Sequence, residues 1–164
     1  MPMEYEHIVH PFPPLFDENS EILILGSLPS VKSREQMFFY GHPQNRFWPL
    51  MAMLLDEPLP RSVEEKKQLV LKHHIALWDT IYSCDIIGSG DSSIKNAVPT
   101  DLVPIVQGSK IRKIFCNGQT SWKYYHRFQE KKLGIAAAAL PSTSPANAAW
   151  SAERLLQAWK EILE

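Results

Sequence analysis

Residues 21–30 read Glu21-Ile22-Leu23-Ile24-Leu25-Gly26-Ser27-Leu28-Pro29-Ser30. An unbroken apolar run that stops at Gly-Ser-Leu-Pro describes a strand buried on both faces and closed by a turn. Short apolar runs of the same kind recur at 75–78, 111–116 and 135–140, with helical patterns between them. Arg46 to Leu55 puts Phe47, Leu50, Met51, Leu54 and Leu55 on one helix face. Ser62-Val-Glu-Glu65 has the form of a capping box and opens a helix to about His73. Thr120 to Gln129 sets Trp122, Tyr125 and Phe128 on one side. Trp150 to Leu163 reads as an amphipathic helix with Trp150, Ala152, Leu155, Leu156, Trp159, Ile162 and Leu163 facing inward. This alternation of strand and helix predicts an α/β fold, a three-layer sandwich around a parallel four-stranded sheet. Ligands of such sheets bind beyond the carboxyl ends of the strands.

The chain has 164 residues, 45% hydrophobic and 21% charged, which excludes disordered, collagenous and coiled-coil classes. Its 13 prolines sit in connecting segments and divide off no second piece of domain size, so residues 1–164 read as a single domain. The longest apolar run, Ile135 to Leu140, is far short of the ~20 residues of a membrane span. Residues 1–6 show neither a basic nor an apolar leader region, which predicts a cytoplasmic protein without membrane contact. Cys84 and Cys116 are too few for a four-thiolate iron–sulfur or zinc site and read as buried, unpaired thiols of a reducing compartment. His73 and His74 have no third ligand at useful spacing, so no metal and no cofactor are expected. The net charge of −1 hides an asymmetry. Residues 1–31 carry five acids and no Lys or Arg, whereas residues 110–132 carry seven bases and one acid. Such a basic cluster either follows phosphates or forms a solvated helix face.

The loop after the first strand runs from Gly26 to Trp48. Gly26 to Ser33 looks superficially like a phosphate loop, but Val31 stands where that motif needs glycine and Pro29 removes a backbone donor. No helix signal follows Ser33, which leaves a nucleotide triphosphatase as a remote alternative. Phe38, Phe39 and Tyr40 then precede Gly-His-Pro, and aromatic rings on a loop offer flat faces to a nucleobase. Phe38 is expected to plug the sheet end instead. Asn45 begins a helix and is either its N-cap or a functional amide. The loop after the fourth strand reads Leu140-Pro-Ser-Thr-Ser-Pro-Ala-Asn147. Ser144-Pro145 fits a helix start, and the hydroxyls of the run also suit a phosphate.

These two segments together resemble the uracil-DNA glycosylase superfamily. Gly-Ser-Leu-Pro-Ser is similar to its first motif, and Leu-Pro-Ser-Thr-Ser-Pro-Ala-Asn to its second. Phe-Phe-Tyr-Gly-His-Pro-Gln-Asn-Arg-Phe-Trp looks like the matching stretch of the mismatch-specific uracil glycosylases. Both motifs, with Leu77-Trp-Asp79 and Phe115-Cys-Asn-Gly118, look most like the hypoxanthine-DNA (deoxyinosine) glycosylase branch. The resemblance covers about residues 20–163. The chain departs from the better-known branches. Leu28 stands where they carry a catalytic Asn or Asp, and Leu140-Pro141 opens the second motif where one of them has His.

The resemblance implies Asn45 as the catalytic amide, holding a water by its carbonyl and aiming it at C1′. It implies Tyr40 as the ring stacked on a flipped base, with Phe39 as the fallback, beside the backbone of Gly26, Ser27 and Leu28. Asp79 reads the base edge or caps the next turn. Asn117 is a weaker reader or a turn residue. Ser142, Thr143 and Ser144 hold phosphates, while Pro145, Ala146 and Asn147 enter the space of the flipped base. His42 touches a phosphate or bonds only its own loop. Lys123 and Arg127, four apart on one helix face, add phosphate contacts or stay solvated. The expected sheet order, numbering the four strands along the chain, is 2-1-3-4. The expected activity is that of a monomeric, monofunctional glycosylase acting on deaminated bases, hypoxanthine or uracil, in double- or single-stranded DNA. A catalytically inactive nucleic-acid or nucleotide-binding module of the same fold is the alternative.

Overall fold

A computed structural model describes residues 4–164; part of the leader reading of residues 1–6 therefore lies outside the described residues. In chain order the elements are β1 (Glu6–Val9), β2 (Ile22–Gly26), α1 (Val31–Gln36), α2 (Phe47–Leu54), α3 (Val63–Lys72), β3 (Ile75–Asp79) and β4 (Ile81–Ile86). There follow β5 (Lys95–Pro99), α4 (Val103–Gln107), β6 (Lys113–Asn117), α5 (Gln119–Phe128), α6 (Glu130–Leu133), β7 (Ala137–Leu140) and α7 (Ala152–Trp159). No helix among the described residues is long and apolar enough to cross a membrane.

β2, β3, β6 and β7 form one parallel sheet in the order β3-β2-β6-β7, which is the expected 2-1-3-4. Every residue of β3 is buried, as are the last four of β2. Successive strand residues point to opposite faces, so both faces of the sheet are covered, and the layers follow. α3 lies against β3, α5 against β6 and β7, and α2 against α7. Leu23, Ile24, Leu25, Phe47, Met51, Leu77, Tyr125 and Trp159 fill the interior with almost no exposure. On the open edge of β3, Leu15 exchanges backbone hydrogen bonds with Leu77 at 3.0 and 2.9 Å, which shields that edge.

The registers align the strand ends. Gly26 pairs with Asp79, Leu25 with Cys116, and Asn117 with Leu140. All four chains therefore leave the sheet on one side at about the same level.

Several elements differ from the sequence reading. A second, antiparallel sheet, β1-β4-β5, branches from the end of β3. Thr80 N–H donates to the Gly26 carbonyl at 2.8 Å and Ile81 N–H to that of Ser27 at 2.9 Å, so β4 starts where the parallel sheet ends. The stretch after Ser30 is helical over Val31–Gln36. Ser30 caps it, its hydroxyl accepting from Ser33 N–H at 3.2 Å, and the helix stops after one and a half turns at Met37, whose φ is 60°. Pro145 starts no helix. α7 begins at Ala152, capped by Ser151, whose hydroxyl accepts from Arg154 N–H at 3.2 Å. Trp150 consequently precedes the helix, and Ala152 and Leu163 face solvent. Cys84 and Cys116 are buried free thiols, as expected, and burial pushes the Cys116 thiol up to about 12.

Candidate active site

The aligned strand ends open on a cavity of about 830 Å³. Gly26, Asp79, Asn117 and Leu140 form its floor, each the last residue of its strand. The two loops read as functional meet there. Ser27 and Leu28 line it on one side, Ser142, Thr143, Ser144, Ala146 and Asn147 on another, and Phe39, Tyr40 and Asn45 on a third. His42, Pro145, Lys123 and Arg127 do not line it. His42 Nδ1 accepts the Gln44 N–H of its own loop at 3.0 Å, and Lys123 and Arg127 lie exposed on the outer side of α5.

Asp79 is 3% exposed, and its Oδ2 accepts a 2.6 Å hydrogen bond from His10 Nε2. His10 arrives on the segment after β1. Its ring packs edge-on to Phe12 and tilted over Trp78, and its Nδ1 has no partner. Asp79 is thus no turn cap. One oxygen is tied down, and the other, Oδ1, lies against Gly26, where an added Cβ would stand 2.5 Å away. Glycine at 26 is what lets the carboxylate occupy the floor.

Tyr40 stacks one face on the buried Phe47 ring, centroids 4.0 Å apart at 20°. The opposite face is left to the cavity. Its hydroxyl is buried without a partner. Burial, reinforced by the neighbouring Asp79 carboxylate, raises its pKa well above the ordinary phenol range, so it stays a donor. Phe39 is 2% exposed and locked edge-on between Phe12 and Phe38, a wall and not a stacking plate. Phe38 is buried under Trp48, as expected of a plug.

Asn45, Thr143 and Asn117 form one hydrogen-bonded chain across the cavity. Asn45 Oδ1 accepts from Phe47 N–H at 2.9 Å and from the Thr143 hydroxyl at 2.8 Å. Asn117 Nδ2 donates to Thr143 Oγ1 at 3.0 Å, and Asn117 Oδ1 accepts Thr143 N–H at 3.0 Å. Two expectations change. The Asn45 carbonyl has both lone pairs filled and cannot hold a water; what Asn45 offers the cavity is its Nδ2 amide. Thr143 is fully buried with its hydroxyl spent, so of the three hydroxyls in the run only those of the half-buried Ser142 and Ser144 remain within reach of a ligand. Asn117 is a tie between β6 and the β7 loop, neither a bare turn residue nor a free base reader.

Sequence reading missed His10, Asp91 and Trp150. Asp91 follows β4 in a Gly- and Ser-rich stretch and reaches the cavity mouth, where Ser27 Oγ donates to its Oδ1 at 3.3 Å. Trp150 lines the cavity with the Arg154 guanidinium 4.1 Å over its ring. α5 starts at the cavity through Gly118 and Gln119 with no side-chain cap, leaving the positive end of its dipole open to the space. No group of three or more His, Cys, Asp or Glu able to hold a metal occurs among the described residues.

A parallel sheet ending in a polar cleft walled by two loops of this kind defines a class. Residues 13–163 match the family model of the uracil DNA glycosylase superfamily, and the chain belongs to that superfamily. Among its relatives, the protein named hypoxanthine DNA glycosylase of Methanosarcina acetivorans is 39% identical over 145 residues, 87% of this chain and 90% of the other. A protein of the same name from Methanosarcina barkeri is 32% identical over 143 residues, 83% and 86% of the two chains. The solution NMR structure of a Methanosarcina acetivorans protein, named as a candidate uracil DNA glycosylase, superposes with a TM-score of 0.76 at 34% identity. It covers 96% of this chain and 100% of its own.

Proposed function

We propose that this chain is a monofunctional DNA glycosylase that extrudes a deaminated base, hypoxanthine or uracil, and hydrolyses its N-glycosidic bond, opening base excision repair. The observation that carries the reading is the Asp79 carboxylate on the cavity floor, one oxygen held by His10 and the other facing the space beside the free Tyr40 ring. A carboxylate only accepts hydrogen bonds. It suits N1–H of hypoxanthine or N3–H of uracil and rejects adenine and cytosine, which present a lone pair there. The relatives named hypoxanthine DNA glycosylase support the same choice.

Tyr40 stacks on the extruded base, as aromatic plates do in base-flipping enzymes. The Asn45 Nδ2 amide, the uncapped start of α5 and backbone donors of the Gly26–Ser30 loop are placed to steady negative charge on the departing base. Ser142 and Ser144 take phosphates of the DNA, while Ala146, Asn147 and the adjacent Pro145 occupy the space the base vacates. Schiff-base chemistry has no candidate here. Lys32 is exposed, pairs with Glu35 at 3.4 Å and does not line the cavity.

The test is a panel of labelled duplexes carrying inosine, uracil or xanthine under single-turnover conditions. Cleavable abasic sites are expected from the inosine duplex, and borohydride should trap no covalent adduct. Tight binding of every duplex with no base release would replace the enzyme by a binding module of the same fold. Within that assay Gly26→Ala is expected to slow excision by roughly 10–10²-fold. The new Cβ would displace the Asp79 carboxylate, and a misplacement of about 1 Å carries a penalty of this size. Wild-type rates in Gly26→Ala would remove Asp79 from base reading.

A further inference from the structure

We infer that Asp91 is the second functional carboxylate of the cavity, the group that takes the proton of the attacking water. The inference rests on the glycosylase reading above. In that reaction the water oxygen bonds to C1′ as the C1′–N bond breaks, the bonding electron pair leaves with the base, and one proton must go from the water to an acceptor. The cavity offers few acceptors. The Asn45 carbonyl is filled by Phe47 N–H and the Thr143 hydroxyl. Tyr40 is held protonated by burial. Asp79 is sunk in the floor, where the base lies, with one oxygen committed to His10. Among the cavity-lining residues the one remaining titratable side chain is Asp91, and it stands at the open side, where the sugar of an extruded nucleotide must stay.

Its position is built. Ser27, the first residue past β2, donates to the Asp91 carboxylate at 3.3 and 3.4 Å, holding it over the strand end. The loop that carries it is pinned at three points. Ser89 Oγ accepts Val31 N–H at 2.9 Å, Arg34 Nη2 donates to the Gly88 carbonyl at 3.1 Å, and Ser93 Oγ accepts Ile87 N–H at 2.9 Å. No Lys or Arg lines the cavity. A carboxylate at the mouth of a cleft for a polyanion opposes binding, so its presence is explained by chemistry and not by affinity. Two carboxylates at different depths then divide the work, the deep one reading the base and the outer one serving the water.

The groups around Asp91 are Ser27 after β2, Asp79 on β3, Cys84 on β4, and Thr120 and Tyr124 on α5, while Arg34 on α1 lies beside Cys84 and donates to the Gly88 carbonyl of the same loop. Partial desolvation, with repulsion from Asp79, raises the pKa of this solvent-facing carboxyl and the hydrogen bond from Ser27 opposes it, the balance lying above the ordinary carboxylate value. A base of raised pKa is the stronger proton acceptor, provided it is still ionised at the working pH. After accepting the proton Asp91 is a neutral acid, and it resets by releasing that proton to solvent.

The test compares the full chain with Asp91→Asn and Asp91→Ala on the inosine duplex, single-turnover rate against pH, with duplex affinity measured alongside. The wild-type rate should fall on the acid side as Asp91 is protonated, with the midpoint above the usual carboxylate range. Asp91→Asn keeps an acceptor for Ser27 and loses the charge. It should lose about 10²-fold in rate together with the acid limb, and bind the duplex as tightly as wild type or tighter. A wild-type rate and an intact acid limb in Asp91→Asn would overturn the inference, leaving Asp91 as a latch for Ser27. So would a variant weakened in affinity alone. A wild-type chain that leaves the inosine duplex uncut would instead overturn the glycosylase reading itself, and with it the water that Asp91 serves.

Discussion

Asn45→Ala is expected to slow single-turnover excision by about 10²–10³-fold, the range seen when one preorganised donor is removed from a site of developing charge. Duplex affinity should scarcely change, because the Tyr40 face and the Ser142 and Ser144 hydroxyls remain. The same substitution strips a hydrogen bond from Phe47 N–H at the start of α2 and one from Thr143, so a loss of about 1 kcal/mol in stability accompanies it. Asn45→Asp separates the two effects. An aspartate still accepts from Phe47 N–H and the Thr143 hydroxyl, so melting stays near wild type. It has no Nδ2 to donate, so the rate falls as in Asn45→Ala. Rate and melting temperature measured on both proteins decide the matter. An Asn45→Ala enzyme that melts early and cuts at the wild-type rate would reduce Asn45 to a helix cap.

Arg46→Ala should lower the melting temperature by about 6–12 °C, from a loss of about 3 kcal/mol at 2–4 °C per kcal/mol for a chain of this size. The Arg46 guanidinium donates to the carbonyls of Ser144 at 3.1 Å, Asn147 at 3.0 Å and Trp150, while its backbone N–H donates to the Thr143 carbonyl at 3.1 Å. One planar fork thereby shapes the whole turn between β7 and α7. Arg46→Lys should rescue little, since an ammonium is a point charge without the fork that spans several carbonyls. Excision should fall with the turn, because Thr143 is the middle of the chain that seats Asn45. A variant that melts like wild type would show that the turn holds its shape without Arg46.

What the sequence made legible follows from burial. β2 and β3 are covered by neighbours and written as apolar runs that need no partner to be recognised, β6 becomes apolar only after Lys113, and β7, half-exposed at the sheet edge, reads as an alanine run closed by Leu140. The residues at their carboxyl ends, Gly26, Asp79 and Asn117, became site candidates through the family resemblance together with their place at the strand ends. β1 and β5 are largely exposed, and β4, buried at four of its six residues, breaks its apolar run at Ser83 and Asp85, so Glu6-His7, Lys95-Asn96 and β4 carry no pattern that separates an antiparallel strand from a loop. Missing that sheet also hid His10, whose strand pairs with β4 across more than seventy residues, and Asp91, which lies in the connection between β4 and β5. Thr143 illustrates another limit. Between Ser142 and Ser144 nothing in the residue type reveals which of three hydroxyls turns inward, since a loop lacks the periodicity that assigns faces. Pro145 was a sound helix-start signal locally, yet the turn that Arg46 holds delays the helix to Ser151.

The His10–Asp79 pair has a consequence for how the floor of the site is held. The imidazole bonded to the Asp79 carboxylate is His10, on the segment that follows β1 of the antiparallel sheet. Replacing His10 removes the 2.6 Å partner of Asp79 Oδ2 and opens a buried aromatic contact with Phe12 and Trp78, so tether and packing change together. The carboxylate at the end of the parallel sheet is thus positioned from the antiparallel sheet as well, so the two sheets set the floor of the cavity jointly.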